Sequence, residues 1–164
     1  MKLLIVLGEG GHTKEMLALV ELLGTGCPLP AEYEYAYVLT QEDALSEGKI
    51  RLPGACYRVV RPRSKDDPAW VAAGKTLLCL WQSLRVMQRA QPDALISSGP
   101  AVAIPFALWG KLLRRPVIFV ETGSRVRRLS LTGRLMRHFA ALFFVQWPQL
   151  REKHPWAIYA GRLF

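Results

Sequence analysis

MKLLIVLGEGGHTKE, residues 1–15, decides how this chain folds. Leu3 to Leu7 is an unbroken apolar run, the pattern of a strand buried on both faces of a parallel sheet. Gly8, Gly10 and Gly11 then permit a tight turn and close backbone approach. Thr13 to Leu23 reads as a helix, with Met16, Leu19, Leu22 and Leu23 on one stripe. Strand, glycine loop and helix in that order place loop amides and a helix N-terminus where an anion such as phosphate can bind. His12 stands at the edge of that position. The loop is neither of two familiar fingerprints. A G-x-G-x-x-G from Gly8 would need glycine where Thr13 stands, and the G-K-[ST] ending of a P-loop is absent. A turn that merely packs the helix on its strand is the competing reading.

The same alternation continues along the chain. Tyr33 to Thr40 and Ala55 to Val60 read as strands, joined by a polar connection from Gln41 to Pro53. A basic loop follows, Arg61-Pro62-Arg63-Ser64-Lys65. Pro68 to Ala90 reads as a long helix ended by Gln91-Pro92. Asp93 to Ser97 is a strand, Ser98-Gly99-Pro100-Ala101 a second glycine turn, and Val102 to Leu113 a helix. Val117 to Glu121 is a strand, and Thr122 to Leu129 a loop carrying Arg125, Arg127 and Arg128. Ser130 to Phe139 reads as a helix, Leu142 to Val145 as a strand ended by Trp147-Pro148, and Trp156 to Ala160 as a last short strand. This order predicts one α/β domain over residues 1–164, a doubly wound, mainly parallel, Rossmann-like sheet. Ligands of such sheets bind beyond the carboxyl ends of the strands. The two glycine turns and the 121–128 loop fall there, which suits a ligand with more than one phosphate.

Composition narrows the partners. The 164 residues are 51% hydrophobic and 21% charged, a globular balance, and the formal net charge is +9, so an anionic partner is expected. No recognised nucleic-acid module is present, and nucleic acid is not expected. Cys27, Cys56 and Cys79 form no C-x-x-C pair, and the three histidines show no metal-ligand spacing. The first apolar run is too short for a signal peptide, and no stretch reaches the roughly 18 apolar residues of a membrane span. The 68–90 helix is apolar over more than one stripe. Trp70, Leu77 and Trp81 share a face, with Arg61, Arg63, Lys65 and Lys75 nearby. Such a patch suits either an anionic membrane surface or packing on two sides.

Particular residues carry a family resemblance. They are Gly8-Glu9-Gly10-Gly11-His12-Thr13 with Glu15-Met16, Pro92-Asp93, Ser98-Gly99-Pro100 and Val120-Glu121-Thr122-Gly123-Ser124-Arg125. They continue with Leu129-Ser130-Leu131-Thr132-Gly133, Phe144-Val145-Gln146-Trp147-Pro148 and Tyr159-Ala160-Gly161. In this order they resemble the asparagine-linked glycosylation protein fourteen family and its bacterial PssD and EpsE type relatives in polysaccharide synthesis. A more distant similarity is to the N-terminal domain of MurG, the peptidoglycan GlcNAc transferase.

The resemblance implies the acceptor-binding half of a GT-B glycosyltransferase. A separate subunit, of the asparagine-linked glycosylation protein thirteen or PssE and EpsF type, would supply the UDP-sugar site. The pair would move a sugar, with inversion, from a UDP-sugar to a polyprenyl-diphosphate-linked acceptor at the cytoplasmic face of the membrane. No metal or resident cofactor is implied, since the UDP-sugar is a co-substrate bound mainly by the partner. Two features depart from the family. Eukaryotic members carry a membrane-spanning segment before the glycine loop, whereas here the first strand begins at Lys2, so a bacterial type or a trimmed chain is expected. Glu9 stands where serine or threonine is usual.

An inverting transfer needs a base for the acceptor hydroxyl. His12 is the first candidate, since a helix N-terminus disfavours the imidazolium, and its alternative is a hydrogen bond to the lipid-linked diphosphate with the base elsewhere. Glu121 is the second, and its alternative is to orient the following loop or pair with Arg125. Gly10, Gly11, Thr13, Ser98, Gly99 and Arg125 are the expected diphosphate ligands. Arg61, Arg63, Lys65, Trp70, Leu77 and Trp81 are the expected membrane contacts. Gln146, Trp147, Leu163 and Phe164 are expected at the partner interface, with core packing as the alternative for Gln146 and Trp147. A non-catalytic membrane scaffold and a self-contained nucleotide-binding enzyme are the competing functions.

Overall fold

The computed structural model describes residues 1–8, 10–26, 33–63 and 66–163. The opening apolar run forms β1 (Lys2–Val6), near the centre of a seven-stranded sheet. The other strands are β2 (Glu34–Thr40), β3 (Gly54–Val59), β4 (Ala94–Ser97), β5 (Val117–Val120), β6 (Leu142–Val145) and β7 (Ile158–Tyr159). Their spatial order is β3-β2-β1-β4-β5-β6-β7, and every neighbouring pair runs parallel. The strand order reverses between β1 and β4, so the crevice beyond their carboxyl ends is the topological switch point. Both glycine turns open there. This is the doubly wound sheet that the alternation of elements predicts.

Alternation along β1 divides the core. Leu4 and Val6 pack with Cys79, Val86 and Met87 of α2 (Ala69–Ala90) and Phe106 of α3 (Ala103–Leu112). Leu3, Ile5 and Leu7 pack with Met16, Leu17 and Val20 of α1 (Gly11–Gly26). A strand that fills both layers must be apolar at every position, which explains the unbroken run. Each such side chain, fully buried, contributes about 2 kcal/mol. Met136 of α4 (Leu131–Met136) and Leu150 of α5 (Pro148–Lys153) join the first layer.

Boundaries differ from the sequence reading where local chemistry has two outcomes. The helix expected from Thr13 starts at Gly11, because Gly10 takes φ +61° and turns the chain two residues earlier. Trp147-Pro148, expected only to end a strand, opens α5, with Pro148 at its first position. The helix expected to run to Phe139 ends at Met136, and the last strand keeps only Ile158 and Tyr159. The polar connection holds a short 3-10 turn at Glu47–Lys49. The long helix ends as expected. Gln91 adopts φ 45°, its amide donates to the Met87 carbonyl at 3.0 Å, and Pro92 follows.

Candidate functional site

The two glycine turns interlock around His12. A β-carbon at Gly8 would lie 2.8 Å from Cβ of Pro100 and 2.9 Å from Cβ of His12, so only glycine admits this approach. Gly99 has φ +102°, and a β-carbon there would sit 3.6 Å from Cε1 of His12. The Ser98 hydroxyl donates to the His12 carbonyl at 3.0 Å and ties the first turn of α1 to the end of β4. Beside this junction lies a cleft of about 310 Å³, lined by Gly8, His12, Thr40, Arg61, Arg63 and the 100–102 turn. It collects residues that follow or end β1, β2, β3 and β4. Nδ1 of His12 is buried and has no hydrogen-bond partner among the described residues.

A second constellation supports the first. Glu15, buried on α1, accepts from the Gly123 amide at 2.7 Å and the Thr122 hydroxyl at 3.0 Å through Oε1. The indole N–H of Trp147 donates to the Gly123 carbonyl at 2.6 Å. Gln146 donates to the Glu121 carbonyl at 3.1 Å and accepts from the Leu163 amide at 3.0 Å. Glu121 is fully buried and accepts from the amide of Ser130 at 3.0 Å, its hydroxyl at 3.2 Å and the amide of Thr122 at 3.2 Å. Burial pushes the Glu121 carboxyl above its ordinary value of 4.5, against the opposing influence of Ser130, Thr122 and the Arg125 charge. Ser130 in turn caps α4 by accepting from the Gly133 amide at 2.8 Å.

The structure therefore redistributes the expected roles. His12 and Gly99 meet where the two glycine turns join. Thr13 is buried, and its hydroxyl pairs with the Gly8 carbonyl and lies 3.0 Å from Ser46 Oγ, so it holds the loop from inside instead of facing a diphosphate. Ser98 is likewise fully buried and committed to His12. Gly10 and Gly11 line a different recess, with Lys14, Glu21, Lys49 and Arg51. Glu121 orients the 121–133 loop. A carboxylate without exposed surface and with both oxygens hydrogen-bonded cannot take a proton from an entering hydroxyl, which corrects its expected catalytic role. Gln146 is internal, because both ends of its amide bond within the chain, and Leu163 packs on its own core. Trp147 is half-buried and stacks under Arg162 at 4.3 Å. Arg125 is exposed at the loop surface. Arg61 and Arg63 line the His12 cleft. Trp70, Leu77 and Trp81 are 79%, 67% and 50% exposed, so the outer face of α2 is not packed on two sides. Lys75 pairs with Asp67 at 2.8 Å. Lys65 and Phe164 lie outside the described residues.

Glu15 is the residue of this constellation that received no role from sequence alone. Its signal was a carboxylate on the apolar stripe of α1, four residues before Leu19 and seven before Leu22.

Among the described residues no helix is long and apolar enough to cross a membrane. A family model described as "Oligosaccharide biosynthesis protein Alg14 like" matches residues 3–163. The chain is 32% identical over 185 residues to the mouse "UDP-N-acetylglucosamine transferase subunit ALG14", covering 99% of this chain and 83% of that protein. It is 30% identical over 184 residues to the human protein of the same name, with the same two coverages. Among solved structures it is similar to MurG from Acinetobacter baumannii, with a TM-score of 0.69, 20% identity, and coverage of 90% of this chain and 42% of that one. The UDP-GlcNAc 2-epimerase from Methanocaldococcus jannaschii gives a TM-score of 0.69 at 19% identity, over 99% of this chain and 46% of that one. The chain thus spans less than half the length of either enzyme, and the likeness is one of fold.

Proposed function

This chain belongs to the Alg14-like family, and from that premise we propose that it is a subunit of a UDP-GlcNAc transferase acting on a lipid-linked acceptor. In this reading it binds the polyprenyl-diphosphate acceptor, and a separate donor-binding subunit of the kind implied by the resemblance supplies UDP-GlcNAc. The observation that carries the reading is similarity along 99% of the chain to proteins named as subunits of that transferase. The His12 cleft at the switch point supports it with a place for the chemistry.

The acceptor hydroxyl attacks the anomeric carbon of the donor sugar. The new C–O bond forms as the bond to the β-phosphate oxygen breaks, and UDP leaves with the electron pair. His12 takes the hydroxyl proton. Since Nδ1 is buried, the proton passes to Nε2. No carboxylate pairs with Nδ1 among the described residues, so the ring is positioned by packing on the Gly8, Gly99 and Pro100 turns and by the tether from Ser98. The outer face of α2, Trp70, Leu77, Leu78 and Trp81, rests on the membrane surface that carries the acceptor. The stacked pair of Arg85 and Trp81, 3.8 Å apart, follows it along the helix and supplies a cation for anionic headgroups.

The test is transfer from a panel of UDP-sugars to membrane lipid by this chain with its candidate partner subunit. Transfer from UDP-GlcNAc by the pair, lost by about a hundredfold or more in His12→Ala within an assembled complex, is the expected result. Near-normal transfer by that variant would remove the base. Transfer by this chain alone would refute the divided enzyme.

A further inference from the structure

Two buried polar atoms without a partner lie on one turn of α1. Nδ1 of His12 and Oε2 of Glu15 are both buried, and neither makes a hydrogen bond among the described residues. The two residues are three apart on the helix, so their side chains are neighbours, with β-carbons about 5–6 Å apart. Both reach over the carboxyl ends of adjacent strands. A β-carbon at Gly99, after β4, would lie 3.6 Å from Cε1 and 3.9 Å from Nδ1 of His12. One at Gly123, after β5, would lie 3.3 Å from Oε1 of Glu15. β4 and β5 pair directly, with Ser97 opposite Phe119, and paired strands lie about 4.8 Å apart. The other charged groups near His12 are placed differently. Arg61 and Arg63 of the loop after β3 line the cleft with it. Glu121, after β5, has both oxygens hydrogen-bonded, and Arg125 is exposed. The turn from Ser98 to Val102 carries no titratable side chain. Among the described residues, Glu15 Oε2 is the one carboxylate oxygen both buried and unpartnered.

The two atoms are chemically complementary. A carboxylate oxygen only accepts, whereas a neutral imidazole donates from one nitrogen and accepts at the other. Buried polar atoms that a chain leaves unpaired are met by ordered water. We infer that Glu15 is a positioning residue for His12, acting through one buried water that accepts from Nδ1–H and donates to Oε2. The proton is thereby kept on Nδ1, and Nε2 presents its lone pair to the cleft. When Nε2 takes the acceptor's proton, Glu15 keeps its own charge and offsets that of the imidazolium. Each oxygen of Glu15 then has its own task, Oε1 on the 122–123 loop and Oε2 on the ring. The base role of His12 rests on the transferase reading, but the tautomer does not.

The experiment reads the His12 tautomer by long-range proton–nitrogen NMR of the full chain labelled with 15N-histidine, at a pH well above the ordinary imidazole range. His12→Ala identifies its signals among those of the three histidines. Wild type is expected to show Nδ1–H with a bare Nε2. Glu15→Gln keeps an acceptor for the loop but places an amide where Oε2 stood, and the Nε2–H form is expected to appear. Thr122→Val removes one loop tie and keeps the carboxylate, so Nδ1–H should persist. Nε2–H in wild type overturns the inference, whether or not any variant folds. Nδ1–H unchanged in folded Glu15→Gln, or lost equally in Thr122→Val, overturns it too. With the candidate partner subunit, Glu15→Gln should lower kcat by about tenfold or more, part of what a general base supplies, with both KM values near wild type. Wild-type kcat in Glu15→Gln, where His12→Ala abolishes transfer, would refute the positioning role. A tautomer that switches with Glu15→Gln supports the pairing even if no sugar transfer is ever observed.

Discussion

The Glu15 carboxylate on α1 holds the Gly123 amide of the loop after β5, at a distance of 2.7 Å and a separation of 108 residues. The same oxygen accepts from Thr122, and Trp147 closes the other side of Gly123. One side chain thus sets the helix that carries His12 against the loop that carries Arg125. Glu15→Ala leaves both donors without their partner and is expected to destabilise the fold by about 2 kcal/mol. Glu15→Gln keeps an acceptor oxygen and should fall within about 1 kcal/mol of wild type. Urea denaturation of the three proteins checks this. Equal losses in both variants would show that charge, not the hydrogen bonds, does the holding.

Gly133 has no room for a side chain. A β-carbon there would collide with Oε2 of Glu121 and approach Ser130 Oγ to 3.1 Å. Gly133→Ala must therefore break the contact between Glu121 and Ser130 that shapes the 121–133 loop. A loss of about 1–3 kcal/mol is expected. Gly48→Ala is the control, because a β-carbon there meets nothing within 4 Å. Thermal denaturation that ranks the two variants equally would contradict the packing described.

Gly99→Ala combines a left-handed backbone with a methyl 3.6 Å from the His12 ring. Strain of about 1–2 kcal/mol is expected, together with a shift of His12 or the turn. In the transferase assay the variant should lose rate by more than its stability loss explains, because the displaced group is the proposed base. A folded variant with wild-type kcat would show that the ring position tolerates movement.

Glu121 links stability to pH. Its carboxyl is raised in the folded protein, chiefly by burial, so the folded state holds the proton more tightly than the unfolded chain. That contribution is complete below the ordinary value of 4.5 and is lost as pH rises through the folded value. Stability measured by urea titration should therefore fall with rising pH across this window in wild type. The fall should be smaller in Glu121→Gln, which carries no proton to lose. Parallel curves for the two proteins would refute the shift.

The outer face of α2 can be tested without disturbing the core. Trp70→Ser, Leu77→Ser and Trp81→Ser remove side chains that are at least half exposed. Each should leave the thermal midpoint within about 2 °C of wild type, because little core packing is lost. Each should also weaken binding to anionic vesicles by about tenfold, the scale of one partly inserted apolar side chain. Vesicle affinity unchanged in the triple variant would show that membrane contact lies elsewhere.

The order of strands and helices was legible because each leaves a local mark: unbroken apolar runs, glycine at the turns, proline at the ends. The meeting of Gly8, His12 and Gly99 was legible for a related reason. A parallel sheet brings the loops after its central strands to one edge, whatever their separation in the chain. Trp147-Pro148 was ambiguous because proline both terminates a strand and suits the first turn of a helix. Glu121 was ambiguous because at a strand end a shift of one residue exchanges the two faces. The basic run at Arg61 to Lys65 gave no sign that Pro62 is buried and that the arginines on either side of it line the His12 cleft.

By itself, then, the sequence determined the layered parallel sheet, the glycine turns and the position of His12 at the edge of the switch point. Those follow from periodicity and backbone freedom, which act over a few residues. Only the tertiary structure decided which polar groups face a ligand. Ser98 meets His12 across 86 residues, Thr13 meets Ser46 across 33, and Glu15 meets Gly123 across 108. Buried donors and acceptors take whichever partners the fold brings near, because an unpaired one costs about 1–3 kcal/mol. That requirement committed Thr13, Ser98, Glu121 and Gln146 to the scaffold and left Arg61 and Arg63 on the wall of the cleft.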